Sequence, residues 1–200
     1  GILVNIRSLN ISDSNSVKSW KNIDETKRYF PNQNFINDIK NENWITSKLN
    51  DENGFYFMII DVATKTTIGI TIIENIDSKR LIASWGIYLA KPEFIKKEYA
   101  YESALLILNF AFSELNLKKI HACSLSTNNI GRKFHKSLGF VEDAVFNKQI
   151  FIDGYYCDLI WISLIKEDFY ISIKNINLNR LQNKFIIKFK NRSIGTTTNQ

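Results

Sequence analysis

The chain has 200 residues, 44% of them hydrophobic, and a formal net charge of +6. That is enough chain for one domain with a real core, and no apolar run reaches membrane length. The charge is unevenly placed: Lys174, Arg180, Lys184, Lys188, Lys190 and Arg192 carry it in residues 171–200, where there is no acid, and the body before them is neutral. Such a tail reads first as a solubilising extension, with a nucleic-acid contact left open.

The start, GILVNIRSLNISDSNS, has too short an apolar part and no basic lead-in for a signal peptide, so a cytoplasmic location is expected. ILVNIRSL (2–9) alternates as a first strand, and two polar helical segments follow at about 13–28 and 33–49. GFYFMIIDV (54–62) and TIGITIIEN (67–75) form an antiparallel hairpin across a TKT turn, with LIASWGIYLA (81–90) as the next strand and Pro92 ending it. From Glu98 to Leu115 the residues Ala100, Ala104, Leu105, Leu108, Ala111, Phe112 and Leu115 predict a helix with one apolar stripe. KIHACSLS (119–126) is a short buried-type strand. NNIGRKFHKSLG (128–139) predicts a short helix between an Asn128 N-cap and a Gly139 stop. Asp153-Gly154 marks a final hairpin of 140–152 with 155–166. Cys123 and Cys157 lie in apolar runs and read as two buried free thiols, without metal-type spacing.

A meander followed by one α/β crossover predicts an α+β fold: a twisted, mostly antiparallel mixed sheet with helices on both faces. Four segments in order carry a family resemblance. SVKSWKNIDETKRYF resembles a W-R-N segment after the first strand. GIYLAKPEFIKKEYAYESALLILNFAFSELNLKKI resembles the long cofactor motif G-I-Y-x-x-x-P-E-x-R-G-K-G-Y-[AG]-T-E-A. NNIGRKFHKSLGFVEDA and IFIDGYYCDLIWISL are similar to the helix before G-F and to the closing strand pair. Over roughly residues 3–168 the chain thus resembles the GCN5-related N-acetyltransferases, in the branch acting on ribosomal-protein N-termini, polyamines and amino-sugar nucleotides.

The resemblance implies an acetyltransferase domain over 1–168 and a basic extension over 169–200. It implies acetyl-CoA as co-substrate, no metal, and direct transfer to a small-molecule or peptide amine. A homodimer is left open, and no membrane contact is expected. The cofactor would lie against Tyr88, Leu89 and Ala90, against the loop Lys96, Lys97, Glu98, Tyr99 and Ala100, and near Asn128. His135 stands at the family's tyrosine and is the implied general acid. Where relatives carry a glutamate base the chain has Ser84, so Glu74 on the preceding strand is the candidate base, acting through water. His121 matches no motif and reads as structural. The aromatics Tyr29, Phe30, Trp44 and Trp85 are candidates for an acceptor lining or for core. Ile95 and Glu98 replace the family's Arg/Gln and glycine, which motivates the alternative of a non-catalytic binding module with the same fold.

Overall fold

The computed structural model describes residues 3–23, 37–91, 94 and 97–174. Among these residues seven strands form one sheet in the order β1-β2-β3-β4-β5-β7-β6. They are β1 (Val4–Ser8), β2 (Phe55–Asp61), β3 (Thr67–Asp77), β4 (Ile82–Leu89), β5 (Lys119–Leu125), β6 (Val141–Ile152) and β7 (Tyr155–Ile165). Every neighbouring pair is antiparallel except β4 with β5. The helices are α1 (Ser14–Lys21), α2 (Asp38–Leu49), α3 (Lys97–Ser113), α4 (Asn129–Ser137) and α5 (Lys166–Ser172). The first helix ends earlier and the second begins later than the spacing predicts; residues 24–28 and 33–36 of the expected helices, and Tyr29 and Phe30 between them, lie outside the described residues.

Strand alternation sends side chains to two apolar layers. On one face Phe57, Ile59, Ile68, Ile73 and Trp85 pack beneath α3, α4 and α5. On the other, Tyr56, Met58 and Ile70 meet Val17 and Trp20 of α1 and Ile45 of α2. The first layer is anchored by aromatic edges: Phe110 of α3 makes T-shaped contacts with Phe55 and Phe57 at centroid distances of 5.3 and 5.7 Å.

The α3 helix is buried more widely than a single stripe, because Leu106, Ile107 and Phe110 are also fully covered. The outer cover includes α5, whose Phe169 lies 5.3 Å from Phe112. Phe169 and Ile173 are completely buried, so the core continues past residue 168. The β6–β7 hairpin turns through Asp153 and Gly154 at φ of 50° and 87°, the left-handed pair of a type I′ turn. Of the two thiols, Cys157 is buried, but Cys123 is exposed. An apolar flanking sequence does not tell which way a strand residue points, and Cys123 points to a face of β5 that no described helix covers.

Candidate active site

The site begins with a strand pair that comes apart. The β4 and β5 strands pair only through Ile82–Lys119, Ala83–Ile120 and Ser84–His121. Beyond that fork β4 continues to Leu89 beside β3, and β5 continues to Leu125 beside β7. Gly86 turns its carbonyl toward β3, where it accepts from Thr71 Oγ1 at 3.1 Å, and the Ala90 N–H donates to the Ile68 carbonyl at 2.8 Å. By the two-residue alternation of a strand, Ile87 and Leu89 therefore direct their N–H and C=O groups into the gap, where no strand among the described residues pairs with them. Of the three residues expected along this edge, Leu89 offers its backbone to the gap, and Ala90 does not. Tyr88 is held from behind, its hydroxyl donating to the Trp20 carbonyl at 2.6 Å. Ile87 is a gap-facing position that the sequence did not single out.

Two helix N-termini flank the gap in sequence. The α3 helix opens at Lys97, with Glu98 exposed in its first turn, Tyr99 half-buried against Phe94 at 6.0 Å, and Ala100 buried. Lys96 and the Lys97 side chain lie outside the described residues. The α4 helix is capped by Asn128, whose Oδ1 accepts from the Gly131 N–H at 2.8 Å. It ends in a Schellman motif: Phe140 N–H donates to the His135 carbonyl and Gly139 N–H to the Lys136 carbonyl, with Gly139 at φ +93°.

At the fork, neighbouring residues of β4 face opposite sides of the sheet. Trp85 points to the α3 side, where its indole N–H donates to Thr71 Oγ1 at 3.1 Å. There it meets His135 edge-on at 5.7 Å and stacks on Phe140 at 5.4 Å. Burial in this aromatic nest pushes the His135 pKa down from 6.5 to about 4, with the Gly131 backbone opposing the shift. The ring is neutral at pH 7, and its buried Nδ1 makes no well-formed hydrogen bond among the described residues, the Gly131 backbone giving it only a weak one.

Ser84 points to the other side, the face of α1 and α2. Its Oγ lies 2.9 Å from His121 Nε2 and accepts from the Asn75 side-chain amide at 3.2 Å. Next to it in register is Glu74, which is ion-paired with Lys48 at 2.8 Å and accepts weakly from the Tyr56 hydroxyl at 3.4 Å. Tyr56 also donates to Asp51, and burial together with these two carboxylates raises its pKa well above the usual phenol range. Lys21 of α1 sits over the Trp44 ring, 3.2 Å from its centroid. Burial and the nearby Lys48 lower the Lys21 pKa to about 8, against the pull of Glu74.

The fold thus brings His135, Ser84, His121, Glu74 and the gap edge of β4 to one fork. Trp85 is core, 4% exposed, and Trp44 is a half-buried platform for Lys21. Among the described residues no three metal-ligating side chains cluster, and no helix is long and apolar enough to cross a membrane. The gap-facing backbone of Ile87 and Leu89, beyond the last β4–β5 pair, suits an extended amide-bearing ligand such as the pantetheine arm of acetyl-CoA.

Comparison with known proteins agrees with this architecture. Residues 4–141 match the family model described as an acetyltransferase (GNAT) domain. The chain is 31% identical over 148 residues to the SPbeta prophage-derived uncharacterized N-acetyltransferase YokL of Bacillus subtilis, spanning 73% of this chain and 81% of that one. It is 27% identical over 100 residues to YdaF of the same organism, a proposed ribosomal N-acetyltransferase, over 50% of this chain and 54% of that one. The fold is shared with a Vibrio cholerae spermidine N-acetyltransferase solved with CoA and spermine, at a TM-score of 0.78 and 22% identity, covering 84% of this chain and 99% of the other. A spermidine/spermine N-acetyltransferase of the same organism, solved with manganese ions, superposes at 0.68 with 23% identity, over 89% of this chain and 96% of the other. With the forked sheet and the family match over most of its length, the chain belongs to the GNAT acetyltransferase family and is an N-acetyltransferase.

Proposed function

We propose that the protein transfers the acetyl group of acetyl-CoA directly to the primary amine of a peptide or protein N-terminus, with an amino-sugar nucleotide as the next acceptor and a polyamine last. The observation that carries this reading is the fork, where one strand edge and two oppositely facing polar groups converge. Bound acetyl-CoA supplies an activated thioester. Ile87 and Leu89 offer the backbone groups for its pantetheine amides and acyl carbonyl. Asn128 holds the α4 cap beside that arm. The N-terminal turn of α3, with Lys97, Glu98, Tyr99 and Ala100, is assigned to the pyrophosphate together with Lys96, which precedes it in the sequence; backbone N–H groups there favour an anion and the Glu98 carboxylate weakens the site.

His135 is assigned to the departing sulfur. With a pKa of about 4 its imidazolium is roughly a thousandth of the population at neutral pH, so the useful group is the neutral ring's N–H, donating a hydrogen bond as negative charge grows. Glu74 is the carboxylate of the amine side. Its pairing with Lys48 leaves it suited to orienting an ammonium or a bridging water. Lys21 and Lys48 place two cations beside it, which favours an acceptor carrying one amine over a polycation.

The test is a panel of amines scored by free-thiol release from acetyl-CoA: an N-terminally free seryl peptide, an amino-sugar nucleotide and spermidine. The peptide should react fastest. Spermidine as the preferred acceptor would overturn the ranking, and no thiol release with any amine would overturn the reading itself. A cofactor titration runs beside it, because acetyl-CoA at 100 times its Kd should stabilise the fold by about 2.7 kcal/mol.

A further inference from the structure

A row of polar side chains crosses an otherwise apolar sheet at the fork. Glu74 of β3, Ser84 of β4, His121 of β5 and Ser163 of β7 are consecutive register partners. Ser84 Oγ and His121 Nε2 are 2.9 Å apart. The Asn75 amide donates to the same Ser84 oxygen, which leaves the Ser84 hydroxyl proton to be donated to Nε2. The His121 ring is held flat against Trp161, centroids 5.4 Å apart and planes 24° from parallel. Ser163 donates to Asp143 at 2.9 Å, and Asp143 pairs with Lys119 at 2.8 Å.

We infer that Ser84 and His121 form a proton relay that accepts the proton of the attacking amine. This deepens the acetyl-transfer reading and rests on it. The amine attacks the acyl carbon and a C–N bond forms. The N–H bond breaks as a proton passes to Ser84 Oγ, the Ser84 hydroxyl proton passes to His121 Nε2, and the imidazolium then releases one proton to water. The thiolate leaves on the opposite face of the sheet, toward His135. The separation follows from strand geometry: Ser84 and Trp85 are neighbours and point to opposite faces, so proton acceptance and sulfur departure are divided by the sheet. The relay also gives Ser84 a role at the position where relatives carry a glutamate, since a serine alone is too weak a base and a serine bonded to imidazole is not.

The groups facing His121 fix its charge at rest. Burial and Lys119 on its own strand lower its pKa below 6.5, and Asp143 of β6 opposes them. Glu74, one strand beyond Ser84, is engaged by Lys48. The ring is therefore neutral and able to accept a proton at pH 7.

The experiment measures kcat against pH at saturating acetyl-CoA and seryl peptide for the wild type, His121→Phe and Ser84→Ala. His121→Phe retains the ring stack on Trp161. Each variant should lose about fiftyfold or more in kcat, the double variant no more than either alone, and acetyl-CoA affinity should stay within about twofold. The wild-type acid limb should be the steeper one, because protonation of His121 below 6.5 adds to that of the peptide's own α-amine at about 7.7–8.0. Both variants should lose the His121 part and keep the amine's. Wild-type turnover with an unmoved acid limb in the variants overturns the relay alone. Absence of turnover in the wild type with every amine, while acetyl-CoA still binds, overturns the relay together with the reading beneath it.

Discussion

Replacing His135 by phenylalanine separates what the ring does for chemistry from what it does to stability. The phenyl group keeps the aromatic contacts with Trp85 and Phe140 and removes both the buried Nδ1 and the titration. A buried polar atom with only the weak Gly131 contact still costs stability, so at pH 8, where the ring is neutral folded or unfolded, the variant should be more stable by about 1 kcal/mol. The advantage grows as pH falls. The unfolded histidine titrates near 6.5 and the folded one at about 4, so between those values the unfolded chain binds the extra proton and the native state loses stability. At pH 5 the unfolded ring is almost fully protonated and the native ring is not, which takes about 2 kcal/mol from the wild type as an upper value. Urea denaturation of both proteins at pH 8, 6 and 5 reads the difference directly, with the pH response of His121 and the carboxylates common to both. A wild-type-to-variant gap that stays constant across that range refutes the burial argument. Turnover of the variant should fall about tenfold or more with acetyl-CoA affinity unchanged, and equal turnover would remove His135 from the sulfur side.

Other substitutions test the surrounding frame. Glu98→Gln removes a carboxylate from the first turn of α3 and should tighten acetyl-CoA binding by about threefold, read by calorimetry; an unaltered Kd would show that the carboxylate stands clear of the phosphates. Gly69→Ala places a methyl group 2.3 Å from the Tyr88 carbonyl oxygen, a backbone atom that cannot swing aside. It should cost about 1–3 kcal/mol and weaken acetyl-CoA binding by displacing β4, and a variant with native stability would contradict the close approach of β3 and β4. Trp85→Phe deletes the indole donor to Thr71 and should cost about 1–2 kcal/mol, largely cancelled when Thr71 is replaced by valine in the same chain.

Local signals in the sequence were strong where one short stretch contains the whole cause. The Asp153-Gly154 turn, the Asn128 cap and the Gly139 stop depend on backbone preferences of one or two residues, and each occurs where the pattern places it. The order of strands and helices was legible for the same reason, since period-two and helical spacing are local. The exposure of Cys123 and the wide burial of α3 are not legible in the sequence, because both depend on which element covers which face. The fork shows the same boundary. Ser84 was visible as a departure from the family's glutamate, but its partner His121 is 37 residues away and matches no motif, so it read as structural.

The sequence by itself determined the class of fold, the family and the residues opposite its motifs, because these follow from periodicity, turn chemistry and ordered local segments. Only the tertiary structure decided that β4 and β5 separate after Ser84 and His121, that His135 is held neutral in an aromatic nest, and that Glu74 is occupied by Lys48. The physical reason is common to all three. Register between strands distant in the chain, burial of a ring between β4 and the residues around α4, and pairing of charges across a helix and a sheet are sums over contacts that no single stretch encodes.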